Sequence, residues 1–143
     1  MYDTNLTRQS LPDGDLSFLV GVAIVVFNAN TQTLIHNYLD DFKESGEDWW
    51  TLTDVEAGPL KNKTKDYLLS NDYREIYSCF QDLISQRNRI VHSFSITLPD
   101  ETQGLNTLDK KTHDQFVVDK KYLEAFISKN SDFSTLLESM GNN

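Results

Sequence analysis

Cysteine occurs once in the 143 residues, at position 79, so no internal disulfide can staple the chain. A lone thiol in a chain of this length fits a reducing, cytoplasmic setting. The glycines, Gly14, Gly21, Gly46, Gly58, Gly104 and Gly141, are scattered, and no glycine-rich loop that cradles a phosphate can be assembled from them. His36, His92 and His113 lie far apart and no Cys-x-x-Cys pair occurs, which leaves zinc without ligands at the right spacing; no metal or other cofactor is expected. Ser93 lacks the flanking glycines of a hydrolase nucleophile elbow. Long hydrophobic runs are wanting too. The run Phe18 to Phe27 covers ten residues without a basic flank. A transmembrane helix needs roughly 20, so this run reads as a buried core element, with neither a leader nor a membrane contact.

Positive charge is short as well. Thirteen Lys and Arg face 22 Asp and Glu, for a net charge of -9, which speaks against a protein that coats nucleic acid. The deficit is uneven. Residues 1–56 carry net -8 and residues 98–143 net -3, while residues 57–97 carry net +2 through Lys61, Lys63, Lys65, Arg74, Arg87 and Arg89. A local basic cleft in an acidic protein binds RNA selectively. For Lys61, Lys63 and Lys65, a solvated face with no ligand is the competing reading.

What is present is a core's worth of apolar residues, 38% of the chain with 16 aromatics, enough for a single domain over 1–143. Spacing predicts four helical segments. The first runs from about Asp15 to Phe42, ended by Ser45-Gly46-Glu47-Asp48. After Trp49 and Trp50, Thr53-x-x-Glu56 reads as a capping box. Pro59 then falls in the first turn of a second segment reaching Leu69. Asn71, Asp72 and Glu75 signal the start of a third, across which Ile76, Phe80, Leu83, Ile84, Val91 and Phe94 form one apolar stripe. A polar connection of some twenty residues around Pro99 and Gly104 follows, in which Phe94–Leu98 and Phe116–Val118 are candidates for a short hairpin. The fourth covers Asp119 to about Lys129, with Ser131 capping a last turn through Met140. The ends, 1–14 and 141–143, are expected to be flexible. The fold class expected is all-α: an antiparallel bundle of four to five helices with a long loop or short hairpin after the third.

The informative break lies in that third segment. Arg87 stands where the stripe asks for an apolar residue, and a guanidinium there must be paired, bound to an anion or held at an interface. Asp82 and Asp54 are candidate structural partners. On the neighbouring face, Gln81, Ser85, Asn88 and His92 follow at spacings of four, three and four, a narrow polar row. His92 lies about 140° from Arg87 around an ideal helix, so the two converge through the reach of the arginine stem or across a two-fold dimer.

Arg87-Asn88-x-x-x-His92, late in a long helix, resembles the signature of HEPN domains, small all-α ribonuclease and nucleotide-binding modules. The resemblance implies a metal-independent endoribonuclease with a toxin-like, antiphage or stress role, acting on RNA as a homodimer through the motif helix, with an antitoxin or other regulatory protein among its partners. Arg87, Asn88 and His92 match the motif. His92 suits proton transfer at a 2'-hydroxyl because imidazole is the side chain most often used as a general acid or base. Arg87 suits the phosphoryl charge through its planar fork, and Asn88 is placed to orient the imidazole or the sugar. Arg89, with Lys61, Lys63 and Lys65, forms the candidate substrate-binding set. In the subgroup whose toxin is silenced by nucleotide transfer, a Tyr stands two residues after the His; here Phe94 stands there. The alternatives are a catalytically inactive HEPN-like module binding nucleotide, RNA or a partner protein, and a plain helical scaffold.

Overall fold

A computed structural model describes residues 6–140; of the expected flexible ends, 1–5 and 141–143 lie outside the described residues. The first helix, α1, spans Gly14–Asp41 and starts where Asp13 accepts the Leu16 N–H at 2.8 Å. Asp48 begins α2, Trp49–Asp54, by accepting the Thr51 N–H at 2.7 Å. Thr53 is therefore inside a helix, where its hydroxyl donates to the Trp49 carbonyl, and the expected capping box does not form. Glu56 instead occupies the N-cap of α3, Ala57–Ser70, without a side-chain cap bond. Asp72, at φ 64°, turns the chain into α4, Arg74–Val91. Asp119 caps α5, one unbroken helix over Lys120–Glu138, so the expected separate last turn at Ser131 is absent.

Between α4 and α5 the expectation of an all-α bundle fails. Residues 94–117 form an antiparallel sheet of three strands: β1 (Phe94–Thr97), β2 (Gln103–Leu108) and β3 (Gln115–Val117), in the order β1-β2-β3. The fold is mixed, mostly helical with this small sheet. The expected direct pairing of 94–98 with 116–118 is also replaced, because β2 lies between them, with Ile96 opposite Gly104 and Thr107 opposite Phe116. Two aspartates make this possible by closing tight turns. Asp100 accepts both the Thr102 N–H and hydroxyl, and Asp109 accepts the Lys111 and Thr112 N–H groups. Gly104 is required by packing: a Cβ there would sit 2.8 Å from Leu98 Cδ1.

The helices are not uniformly antiparallel either. α1 and α5 run side by side in the same direction, since Asp15 meets Lys120, Asn30 meets Asn130 and Asn37 meets the Leu137 carbonyl. α4 runs against α5, with Phe80 stacked on Phe133, Lys129 on Asp82 and the Tyr122 hydroxyl donating to the Gln86 carbonyl. The core lies where they meet. Phe27, Phe80, Phe126 and Phe133 are all at most 2% exposed, and Phe80 stacks between Phe27 at 6.1 Å and Phe133 at 5.7 Å. In this core Asn130 is satisfied from both sides, accepting from Asn30 Nδ2 and donating to the Phe126 carbonyl.

By length and composition α1 is, among the described residues, the one helix apolar enough to cross a membrane. No charged side chain lies between Asp15 and Asp40, so the ten-residue run seen in the sequence is the middle of a longer uncharged helix. One face of it packs against the other helices through Ala23, Phe27, Leu34 and Ile35. The other face leaves Phe18 and Val25 about two-thirds exposed, at 70% and 67%.

The apolar stripe of α4 also shifts. Ile76, Phe80, Leu83 and Ile84 are buried as expected, but Ile90, not Val91, continues the stripe at the helix end. Val91 and Phe94 are 48% and 47% exposed. Urea unfolding separates the two positions: Phe80→Ala is expected to cost about 3–5 kcal/mol through cavity formation, and Val91→Ala no more than about 0.5 kcal/mol.

Candidate functional site

Arg87 follows Leu83 by one turn of α4, so its side chain leaves the edge of the core rather than the solvent face. The guanidinium carbon sits over the Phe27 ring, 5.2 Å from its centroid. A cation over an aromatic face recovers about 0.5–2 kcal/mol of the cost of leaving water. The rest is not recovered by pairing. Nε is buried without a hydrogen-bond partner, and among the described residues no carboxylate lies within 4.0 Å of the guanidinium. Neither structural partner suggested by the sequence serves: Asp82 pairs with Lys129 at 3.3 Å, and Asp54 lies on α2 outside the Arg87 pocket.

Arg87 opens into a cavity of about 370 Å³ between α1, α2 and α3, with Phe27, Asn28, Thr31, Gln32, Thr53 and Glu56 in its walls. Burial pushes the guanidinium below its ordinary pKa, and the Glu56 carboxylate opposes that shift. Arginine keeps its proton regardless. The threonines are occupied, since Thr31 and Thr53 donate to the Phe27 and Trp49 carbonyls. Asn28 and Gln32, one turn apart on the exposed side of α1, are the amides that face the opening. The arrangement is a pocket for an anion or a polar planar group: a cation at its base, amides and one carboxylate on its walls.

His92 ends α4. Its N–H donates to the Asn88 carbonyl at 3.0 Å, while the Ser93 hydroxyl and N–H both close on the Ile90 carbonyl, which stops the helix one residue before β1. The imidazole is exposed and outside the lining of the Arg87 cavity. Asn88 and Arg89 lie elsewhere again. They line a second cavity of about 350 Å³ with Ser85, Asp109, Lys110 and Lys111 from the β2–β3 turn. Arg89 donates to the Leu108 carbonyl. Asp109 is held below the usual carboxylate range by the Thr112 and Lys111 amides, with a smaller contribution from Arg89.

A single chain therefore does not bring Arg87 and His92 into one cavity. It does keep Ser85, Asn88 and His92 on one row of α4. Lys61, Lys63 and Lys65 stand on α3, where Lys63 pairs with Glu47 at 3.2 Å and Lys65 sits 5.9 Å from the Tyr77 ring centroid; none lines either cavity. His36 packs against Trp49 with ring centroids 4.2 Å apart, and His113 occupies the β2–β3 turn at φ 64°. Sequence reasoning missed Asn28, Gln32 and Glu56 as neighbours of Arg87, and Lys110 and Lys111 as neighbours of Arg89. The local sign for the lysines was Asp109-x-x-Thr112, an aspartate placed to close a turn and display the two residues between. Among the described residues no three of His, Cys, Asp and Glu gather closely enough to hold a metal ion.

No family model, no curated protein and no solved structure matches the chain.

A structural arginine and a ligand-binding one differ in what their removal does. An ill-compensated charge replaced by an apolar side chain of similar length leaves stability unchanged or raises it, whereas a paired one is costly to remove. Arg87→Met is expected to unfold at equal or higher denaturant, by up to about 1 kcal/mol given the guanidinium's partial exposure. A loss larger than that assigns Arg87 to the scaffold.

Proposed function

We propose that this chain is a metal-independent endoribonuclease of HEPN type, in which Arg87 holds the charge of the phosphoryl group and His92 moves the proton of the attacking 2'-hydroxyl. The observation that carries the reading is the Arg87 guanidinium, whose buried Nε has no hydrogen-bond partner, five positions before an exposed histidine on the same helix. Among the described residues no carboxylate lies within ion-pair distance of it, Glu56 acting only from the cavity wall, although burying a charge without a close partner costs free energy. Retaining such a cost at a pocket is the pattern of a site kept for a ligand.

The reaction needs three things from the protein: a base for the 2'-hydroxyl, charge stabilisation on phosphorus and an acid for the leaving oxygen. In this proposal His92 is the base, a second His92 brought by a dimer is the acid, and Arg87 stabilises the charge on phosphorus. Asn88, whose backbone carbonyl accepts the His92 N–H, positions the imidazole by fixing the helix end. The reaction ends with a 2',3'-cyclic phosphate on one product.

Assembly belongs to the same proposal. Arg87 and His92 line no common cavity within one chain, so a two-fold partner is needed to set an imidazole beside the Arg87 pocket. The expected pairing is through the motif helix α4, and the exposed side of α1, which borders the Arg87 cavity, is a surface suited to extending it. Phe18, Gly21 and Val25 lead there into Asn28 and Gln32 at the cavity rim, and the stretch lacks charge in a chain of net -9. Two such acidic chains meet with least repulsion along an uncharged stripe. An apolar patch of this kind marks an interaction surface.

The exposure of His92 away from the Arg87 cavity also favours a second reading, a non-enzymatic module that binds an anionic ligand or a partner protein at Arg87. Cleavage separates the two. Purified protein in chelator is expected to cut a mixed RNA pool and leave cyclic phosphate ends, with His92→Ala and Arg87→Lys each slower by on the order of a hundredfold or more at unchanged unfolding midpoints. Undiminished cutting by folded His92→Ala refutes the catalytic assignment. For the assembly, light scattering at micromolar concentration is expected to give the mass of two chains, and Val25→Lys on the exposed stripe to return it to one. A wild-type monomer that cleaves at full rate sinks the shared-site model.

A further inference from the structure

The second cavity, between α4 and the β2–β3 turn, is lined by neither Arg87 nor His92 and shares only Asn88 with the site proposed above. Three cations converge on it, Arg89, Lys110 and Lys111, against one carboxylate, Asp109. That carboxylate is already engaged, accepting the Lys111 N–H at 2.8 Å and the Thr112 N–H at 2.9 Å. Four of the seven lysines elsewhere, Lys43, Lys63, Lys120 and Lys129, have a carboxylate within 4.0 Å, whereas Lys61, Lys65 and Lys121 have none among the described residues and line neither cavity. Lys110 and Lys111 have none among the described residues.

The cations are also held in place by the backbone. The Asp109 N–H donates to the Asp114 carbonyl at 2.8 Å and the His113 N–H to the Asp109 carbonyl at 2.9 Å, closing the turn that carries both lysines. His113 adopts φ 64° to make this closure, a left-handed conformation that a side-chain-bearing residue takes at a cost. Arg89 is tethered from the other wall through the Leu108 carbonyl. The floor is Ser85 and Asn88, on the α4 row that continues to His92. Four residues of helix, about 6 Å, separate Asn88 from His92.

We propose that this cavity binds a backbone phosphate of single-stranded RNA, the phosphate neighbouring the one cleaved. The proposal rests on the ribonuclease reading for the word "cleaved", and on the cavity's own charges for the phosphate. Lys110 and Lys111 supply point charges from the turn, Arg89 supplies a fork from the helix, and the Asn88 amide is placed to meet the sugar. A strand laid along this face passes from the turn toward His92, which gives an acidic protein a narrow basic track and no broad one.

The test uses the full chain and a short, fully 2'-O-methylated RNA that cannot be cut through a 2'-hydroxyl, with DNA of the same sequence and polyglutamate as further arms. Affinity is measured against salt for wild type, for Lys110→Gln/Lys111→Gln and for Arg8→Gln/Lys43→Gln, exposed residues outside the cavity that provide the same change in net charge. Each phosphate contact on a single strand contributes about 0.7 to the slope of log affinity against log salt. The turn variant is expected to lose about 0.7 from that slope, one phosphate's worth, with both oligonucleotides and to bind more weakly at physiological salt, while the control variant keeps the wild-type slope. A turn variant with the wild-type slope overturns the proposal, and if the protein cleaves unmodified RNA the ribonuclease reading survives it. A lost slope in a protein that never cuts RNA leaves the phosphate site standing and removes the ribonuclease. Polyglutamate bound as tightly as RNA, or no binding of either oligonucleotide by wild type, also overturns it.

Discussion

The Phe27 ring is the contact on which most of this structure turns. It stacks on Phe80 from α4, tilts against Phe126 from α5 at 6.2 Å, and carries the Arg87 guanidinium on another side. Three helices are thereby registered around one aromatic side chain of α1. The same ring supplies the cation–π contact that lets Arg87 occupy the core edge. Were Arg87 neutralised by a carboxylate, the pair would be a fastening like many others. It is held instead by a ring, with no carboxylate within 4.0 Å among the described residues and Glu56 acting on it from the cavity wall.

Charge is distributed in the folded protein as it is along the chain, but with sharper edges. The acidic surplus of the first 56 residues bypasses the body of α1, where no charge occurs between Asp15 and Asp40. The long helix is thus uncharged on both faces, and only one is covered. The cations near the motif divide between two walls of α4, Arg87 toward α1 and Arg89 toward the sheet. A polyanion approaching this protein meets repulsion nearly everywhere, so it can settle only where the positive side chains are concentrated. That favours selectivity over affinity.

The parts of the fold legible in the sequence are those governed by local spacing. The stripe Ile76, Phe80, Leu83, Ile84 set the buried face of α4, and the anomaly at Arg87 stood out because the stripe around it was regular. The choice between Ile90 and Val91 was not legible, since adjacent apolar residues both extend such a stripe and only the direction of the sheet beyond decides which is covered. The sheet was legible only at its edges, Phe94–Leu98 and Phe116–Val118 as candidates for a hairpin, and its central strand β2 was hidden for a related reason. Its strands are three to six residues long, and Thr107, a polar residue with no exposed surface, breaks the alternation expected of β2. Their pairing depends on Asp100 and Asp109 closing turns that resemble any polar loop in one dimension. Thr53-x-x-Glu56 had the form of a cap, yet Asp48 captured the Thr51 amide first and drew Thr53 into α2. Of the site residues, the polar row Ser85, Asn88, His92 was readable from helical geometry. The neighbours Glu56, Gln32 and Lys110 were not, because each reaches the motif through tertiary packing rather than through spacing.

The sheet also changes what the motif histidine is attached to. At the end of a bundle helix followed by a free loop, a side chain inherits the fraying of the last turn. Here the chain passes from the Asn88 carbonyl bond, through the Ser93 closure on Ile90, directly into β1, whose Phe94 is paired with Asn106 of the central strand. β2 is in turn tied through the Val118 N–H on the Leu105 carbonyl to the short segment between β3 and α5, and Phe116 of β3 packs against Tyr122 of α5. The backbone of His92 is fixed from both directions while its imidazole stays in solvent. The proton transfer proposed above requires placement to a fraction of an ångström, and a backbone tied on both sides under an accessible ring meets that requirement at less entropic cost than a free loop would. The central strand that spacing did not reveal is thus part of what holds the His92 backbone in position.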